Sequence, residues 1–127
     1  MKYLIGILLF AFISCLKKKE NTTNKNLIYF NSKFISELGN NDYEKLLAKT
    51  KLKIKAQYLD DLIFVTNFVG SNACGQYTGN IEIKNDSIIL VYKLVSNEVC
   101  TSTSVEKLTY IISNPKEKKY KFSMRYE

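Results

Sequence analysis

Three cysteines, Cys15, Cys74 and Cys100, are the most reactive side chains of this 127-residue sequence, which contains no histidine. A serine or cysteine nucleophile usually needs a histidine as its base, and histidine is also the commonest transition-metal ligand. Two thiols without histidine make a poor zinc site. We therefore expect no catalytic residue, no bound metal and no cofactor, and the cysteines need another role.

The first cysteine follows a short apolar segment. Lys2 precedes an uninterrupted apolar run over residues 3–13, and the small Ser14 precedes Cys15. As a helix, the run would extend about 16 Å, roughly half of the hydrocarbon core of a bilayer, which is too short to span it. A basic start, an apolar run of this length and a small residue at its end predict a secretory signal peptide over residues 1–14.

Residues 12–15, Phe-Ile-Ser-Cys, resemble the lipobox of bacterial lipoprotein precursors, in a relaxed form similar to that of the Bacteroidetes. The last two positions match the pattern, and Phe12 stands where leucine is usual. The resemblance implies that Cys15 is the lipidated first residue of the mature chain and attaches it to the lipid bilayer. Because Leu16 follows in place of aspartate, analogy with the enterobacterial sorting rule implies the outer membrane.

The other two cysteines lie in polar loops on either side of a predicted hairpin. In the oxidising cell envelope two such cysteines should pair, and the chain-entropy model gives about 3.5 kcal/mol for closing a loop of this length. Redox-active pairs usually have Cys-x-x-Cys spacing, which is absent here. We predict a structural disulfide between Cys74 and Cys100, and lipidation of Cys15 then leaves no unpaired thiol.

A glycine-rich polar loop over residues 70–80 holds the candidate binding residues, Asn72, Gln76 and Tyr77. Most other aromatic residues alternate within predicted strands and are expected in the core. Tyr77 instead lies in a loop, where rigid scaffolds usually display binding residues. We predict that these three residues contact an envelope protein or a glycan.

The net charge of +7 does not indicate nucleic-acid binding, because more than half of it lies in residues 1–26 and the chain has one arginine, Arg125. Nucleic-acid sites favour the guanidinium group of arginine. Residues 16–26 contain a single apolar side chain and should be disordered. We predict a lipidated cysteine and flexible tether over residues 15–26, one domain over residues 27–127, and no nucleic-acid partner.

The pattern of apolar residues predicts a domain that is mainly β. Residues 42–49 have helical spacing and should form a short helix, while residues 27–40 fit either a helix or a strand. About six strands follow from two-residue alternation or from continuous apolar runs. Their predicted ranges are 52–58, 62–69, 81–84, 87–95, 105–113 and 119–126.

One hairpin can be placed residue by residue. If Asn85 and Asp86 form its two-residue turn, Ile83 faces Ile88 and the apolar residues of both strands share one face. Hairpin follows hairpin along the chain. We therefore predict a small antiparallel meander, closed as a barrel or packed as a sandwich, with one or two short N-terminal helices.

Together these features predict a small lipoprotein anchored to the outer membrane that acts as a non-enzymatic binding or structural module of the cell envelope. The loops around Tyr77 and Cys100, joined by the disulfide, would form its contact surface. The alternative is an inhibitor or immunity-type lipoprotein that blocks an envelope enzyme by inserting such a loop.

Overall fold

The computed structural model describes residues 22–127, so the predicted signal peptide and the predicted lipidation at Cys15 lie outside the described residues. Seven strands and one helix follow one another along this part of the chain. They are β1 (Leu27–Glu37), α1 (Tyr43–Lys49), β2 (Lys55–Leu59), β3 (Leu62–Asn72), β4 (Tyr77–Lys84), β5 (Ser87–Leu94), β6 (Thr103–Ser113) and β7 (Lys121–Tyr126).

The strands form two sheets. The first has four strands in the order β1-β6-β3-β2, and the second has three in the order β4-β5-β7. The mainly β class is therefore confirmed, in its sandwich-like rather than its barrel form. Residues 27–37, which fitted either a helix or a strand, form β1 and raise the strand number from six to seven. Within residues 22–127, no helix is long and apolar enough to cross a membrane.

The core lies between the two sheets and consists of the apolar side chains that alternate onto their facing sides. Tyr110 is its largest fully buried side chain, and the Tyr110 hydroxyl donates a hydrogen bond to the carbonyl oxygen of Val91 at 2.9 Å. This bond satisfies the one polar atom that the ring carries into the core. The other fully buried members of the cluster are Ile63, Val65, Leu108 and Ile112 from the first sheet and Ile81, Ile88 and Leu90 from the second.

Two tight turns set the register of the hairpins. Asp60 and Asn85 have φ angles of 48° and 53°, a left-handed conformation that aspartate and asparagine tolerate better than most residues. Asn85 and Asp86 connect β4 to β5, and Ile83 pairs with Ile88. The predicted hairpin and its register are confirmed.

The prediction of a wholly antiparallel meander is wrong for the last strand, because β7 pairs with β5 in parallel. The chain leaves β6 at Ser113, and residues 114–120 are too few to run the length of the second sheet before β7 begins. The backbone N–H of Lys121 donates to the carbonyl oxygen of Asp86 at 2.8 Å. β7 therefore enters the sheet at the end where β5 also begins, and both strands run in the same direction.

Several strand ends also differ from the predicted ranges. β2 begins at Lys55 rather than at residue 52, β3 continues to Asn72, and β4 begins at Tyr77. The loop predicted over residues 70–80 is thus reduced to residues 73–76. The long ladder between β3 and β6 pairs every residue of both strands and carries β3 through Gly70 despite the polar sequence there. On the other side of the loop, pairing with β5 carries β4 back to Tyr77.

The folded part of the chain begins before Leu27. The backbone N–H of Asn24 donates to Asn80 Oδ1 at 2.7 Å, and the backbone N–H of Ser113 donates to the carbonyl oxygen of Asn26 at 2.8 Å. Residues assigned to the tether by composition are therefore bound to β4 and β6.

Candidate functional site

Two loops meet at one end of the sandwich, which we call the disulfide end. Loop 73–76 joins β3 to β4, and loop 95–102 joins β5 to β6. Cys74 in the first loop is bonded to Cys100 in the second, with their Cα atoms 5.6 Å apart. This confirms the predicted disulfide, and the two loops form one cross-linked unit.

The side chain of Asn72 fixes the position of both cysteines. Its Oδ1 atom accepts hydrogen bonds from the backbone N–H groups of Cys74 at 3.0 Å and Cys100 at 3.1 Å. Its Nδ2 atom donates to the carbonyl oxygen of Cys100 at 2.6 Å. The amide group predicted to contact a partner is thus occupied within the protein, where it holds one loop against the other.

Tyr77 is the first residue of β4 and does not lie within the loop. Its hydroxyl oxygen accepts a hydrogen bond from the backbone N–H of Asn72 at 2.8 Å. Gly75 leaves room for this ring, because a Cβ atom at Gly75 would lie 2.7 Å from Leu94 Cδ1 and 2.9 Å from the Tyr77 hydroxyl. The half-buried ring of Tyr77 therefore packs against Gly75 and stabilises the disulfide end.

Three tyrosines from three strands form a row across the second sheet, which we call the tyrosine row. The ring centroids of Tyr77 and Tyr92 are 6.3 Å apart, and those of Tyr92 and Tyr126 are 5.2 Å apart. Burial raises the pKa of Tyr92, and the neighbouring hydroxyls of Tyr77 and Tyr126 raise it further. Tyr126 is 55% exposed, so the row extends from the half-buried interior to an aromatic face in contact with solvent.

Gln76 is the predicted binding residue whose side chain is exposed. Its backbone is held on both sides: its N–H donates to Ser96 Oγ at 3.0 Å, and its carbonyl oxygen accepts from the Val95 N–H at 2.8 Å. The side chain therefore projects from a fixed backbone. Of the three predicted residues, Asn72 and Tyr77 are half-buried and Gln76 is exposed.

Three exposed apolar side chains at the disulfide end have no counterpart in the sequence-based prediction. Leu38, Val95 and Val99 are 58%, 51% and 62% exposed. Leu38 belongs to this end because its backbone N–H donates to the carbonyl oxygen of Thr103 at 2.9 Å. Single apolar residues within polar loops carry no signal until the positions of the loops are known, which is why sequence analysis missed them.

One buried carboxyl group was also missed. Glu106 lies on the same face of β6 as Leu108 and is only 4% exposed. It accepts a hydrogen bond from Ser32 Oγ at 2.8 Å. Burial raises the pKa of Glu106, and the bond from Ser32 opposes part of that rise. Within residues 22–127, no three or more cysteine, aspartate or glutamate side chains come together in a way that could hold a metal ion.

Comparison of the chain with protein-family models, with curated protein sequences and with solved structures finds no match. The function is therefore inferred from the side chains and surfaces of this chain alone.

Proposed function

We propose that this protein is a non-enzymatic binding module of the cell envelope, attached to the outer membrane through acylated Cys15. The disulfide end is its contact surface, and its partner is another envelope component, a protein or a glycan. One observation carries the proposal: two loops that are cross-linked to each other leave Val95 and Val99 exposed instead of burying them.

Cross-linking favours binding because a surface that is already ordered loses less conformational entropy when a partner arrives. At the disulfide end, the covalent bond and the three hydrogen bonds of the Asn72 side chain fix both loops. Reduction removes a constraint that the chain-entropy model sets at about 3.5 kcal/mol. Reduced protein should therefore bind its partner less tightly even where it stays folded.

The exposed side chains of the disulfide end indicate which chemical groups of a partner they would contact. Leu38, Val95 and Val99 favour an apolar contact, and apolar groups surrounded by polar ones are typical of protein interfaces. The exposed ring of Tyr126 adds a face on which a peptide group or a sugar ring can stack. Gln76 supplies hydrogen-bonding groups at the same end.

A charge placed within the contact surface tests this proposal. Val99→Asp should lower the amount of partner that the full chain captures from solubilised envelopes at least tenfold, because a carboxylate then has to be desolvated at the interface. Ile28→Asp is the matched control, since Ile28 is 58% exposed at the other end of β1. Equal capture by the two variants would contradict the assignment of the surface.

The anchor is tested separately. Cys15→Ala should leave the precursor unprocessed and remove the protein from the detergent phase in a phase-separation assay, because all acyl chains of the proposed anchor are attached to Cys15. Unchanged partitioning would show that Cys15 carries no lipid, and would leave the disulfide end untouched as a binding surface.

The form of loop 95–102 favours a second candidate, an inhibitor or immunity-type lipoprotein. The loop exposes Val99 next to the disulfide-bonded Cys100, as expected of a rigid segment that enters an enzyme's active site. A deletion strain separates the two candidates. Loss of an inhibitor should release a lytic or otherwise toxic activity that Val99→Asp also releases, whereas loss of a binding module should not.

A further inference from the structure

The sandwich is open along the side where β2 of the first sheet faces β7 of the second. Both are edge strands, and within the described residues they do not pair with each other. A groove of about 610 Å³ lies between them. Its walls are mainly apolar and aromatic, and the lining residues are Leu52, Lys53, Ile54, Ala56, Tyr58, Tyr120 and Phe122. We call this feature the β2–β7 groove.

One wall of the β2–β7 groove is an open backbone edge. The N–H groups of Lys121 and Glu127 donate to the carbonyl oxygens of Asp86, which directly precedes β5, and of Tyr92 on β5. The odd-numbered residues of β7 therefore direct their backbone groups at β5. In a strand, alternate residues direct these groups to opposite sides. The N–H and C=O groups of the even-numbered residues, Phe122 and Met124 among them, therefore point toward the groove.

The rim of the groove is basic on both sides. Lys51, Lys53 and Lys55 are exposed on the β2 side, and Lys119 and Lys121 on the β7 side. Neither residues 51–59 nor residues 118–124 include an aspartate or glutamate. Asp86 lies near Lys121, but its carboxylate is paired with Lys118 at 2.9 Å. The rim therefore keeps an excess of positive charge, which attracts an anionic partner.

One end of the groove is closed. Tyr58 accepts a hydrogen bond from the backbone N–H of Tyr120 at 2.9 Å, and Lys119 Nζ lies 3.7 Å from the centroid of the Tyr58 ring. Phe122 and Met124 face inward beyond this closure. An extended chain that enters the groove thus has a fixed end point and an apolar floor.

We propose that the β2–β7 groove binds an extended acidic peptide segment of a partner protein, which adds to β7 as a fourth strand of the second sheet. Its backbone pairs with the even-numbered residues of β7. Alternate apolar side chains enter the groove against Ile54 and Ala56, and the intervening carboxylates meet the lysines of the rim. Strand addition of this kind takes affinity from the backbone and specificity from alternate side chains.

The same charges exclude a second copy of this chain as the occupant. Pairing two β7 edges would bring Lys119 and Lys121 of both copies into one interface, and lysines on an edge strand oppose such self-association. The chain's own residues 15–21 are also unsuited, because they include three lysines and one glutamate.

The described chain begins on the side of the second sheet away from the groove. Thr22, the first described residue, accepts a hydrogen bond through its carbonyl oxygen from Asn80 Nδ2 at 3.2 Å. Asn80 lies on β4, the edge of the second sheet opposite to β7. The inference is independent of the disulfide end and does not rest on the function proposed for it.

The test uses the full chain in phosphatidylcholine vesicles and a labelled six-residue peptide that alternates valine and glutamate. We expect saturable binding by fluorescence anisotropy, at least tenfold tighter than binding of the same peptide with lysine in place of glutamate. A peptide with its three valines followed by its three glutamates should also bind at least tenfold more weakly. Equal binding of all three peptides would overturn the proposal.

Charge reversal in the protein supplies a matched pair of variants. Lys53→Glu combined with Lys121→Glu should weaken binding of the valine–glutamate peptide at least tenfold. Lys33→Glu combined with Lys107→Glu makes the same change in net charge on neighbouring positions of β1 and β6, away from the groove, and should change binding less than twofold. Similar losses in both double variants would show attraction to the net charge alone.

Backbone pairing is tested without any change to the protein. N-methylation at alternate positions of the peptide should abolish binding when the methyl groups face β7 and have less than a threefold effect when they face away. In hydrogen exchange, the amides of Phe122 and Met124 should slow on peptide binding. If phosphatidylglycerol vesicles bind at this groove with the same Lys53 and Lys121 dependence while the peptide does not, the occupant is an anionic lipid and the proposal is wrong.

Discussion

The two long sides of the sandwich differ in how they are closed. On one side β1 lies beside β4, and the ring of Phe30 covers Gly79. Phe30 also contacts Tyr110 edge to face, with ring centroids 5.0 Å apart. On the other side, the bond between Tyr58 and Tyr120 closes one end of the β2–β7 groove, and farther along β7 the only bridge described between the sheets is a hydrogen bond from Asn67 Nδ2 to Met124 Sδ at 3.4 Å. The two sheets are in contact where the ring of Phe30 lies between them, and a groove remains between the short, basic edge strands β2 and β7.

Strand length also differs between the two sides. β2 has five residues and β3 has eleven, so residues 67–72 of β3 have no strand beyond them in the first sheet. On the closed side, β1 also has eleven residues and carries Phe30 into the core. We therefore expect stability to depend mainly on the closed side and ligand binding on the open side.

The largest effect is expected from Gly79→Ala. A Cβ atom at Gly79 would lie 2.2 Å from Phe30 Cδ2, and its other near contacts belong to the same ring, so the ring has to move out of its packed position. Overpacking of this kind costs about 2–3 kcal/mol. Urea unfolding should show that loss as a lower midpoint with an unchanged slope.

Gly70→Ala is the matched control for Gly79→Ala, because a Cβ atom at Gly70 would meet only Leu47 Cδ1, at an ordinary 3.9 Å. We expect this variant to be as stable as the wild type, or more stable by up to about 1 kcal/mol. Combining Gly79→Ala with Phe30→Leu should recover part of the loss. Equal losses in the two alanine variants would break the contrast between the closed side and the rest of the sheet.

Tyr110→Phe should have the next largest effect. It leaves the carbonyl oxygen of Val91 without the hydroxyl that it accepts from, which costs about 1–2 kcal/mol in a buried site. Burial raises the pKa of Tyr110 above its ordinary value of 10.0 in the folded state. The unfolded chain therefore loses this proton first, and stability falls as the pH rises past 10.

The Tyr110→Phe variant has no hydroxyl at this position, so it should not show the fall in stability above pH 10 that comes from the raised pKa of Tyr110. The unfolding free energies of variant and wild type should therefore converge above pH 10. A constant difference between the two proteins at pH 7 and pH 11 would contradict the assignment. Circular dichroism in urea at both pH values measures it.

Local chemistry made part of this structure predictable. The turn at Asn85 and Asp86 determined a register that holds through eight pairs, because a one-residue shift would move every apolar side chain to the wrong face. The pairing of Cys74 with Cys100 followed from two loops that flank this hairpin. Both features depend on residues near one another in the sequence.

The features that were missed depend on contacts between distant segments. Nothing in residues 119–126 shows that β7 runs parallel to β5, and this pairing is what brings Tyr126 beside Tyr92. The closure of Phe30 on Gly79 likewise joins segments about fifty positions apart. Gly79 lies within the loop predicted over residues 70–80, because a glycine needed for close packing has the same sequence signal as a glycine of a loop.

Tyr58→Phe should have a smaller effect on stability than either change on the closed side. The hydroxyl accepts from the Tyr120 N–H at the partly exposed end of the groove, where water can replace it, so we expect a loss of about 1 kcal/mol or less. Binding of the valine–glutamate peptide should weaken instead. A stability loss as large as that of Gly79→Ala would show that the open side also holds the sheets together.

Glu106→Gln is expected to have the smallest effect, visible only as a change in pH dependence. Burial raises the pKa of Glu106 in the folded state above its ordinary 4.5, so the folded protein holds this proton more tightly than the unfolded chain. The contribution to stability is therefore fully present below pH 4.5 and is lost as the pH rises through the folded pKa. Relative to wild type, Glu106→Gln should gain stability between pH 4 and pH 7.

Ser32→Ala removes the bond that opposes the raised pKa of Glu106, so the stability of this variant should fall more steeply than that of wild type over the same range. Parallel curves for all three proteins would mean that water reaches Glu106 and that this part of the sandwich is as open as the β2–β7 side.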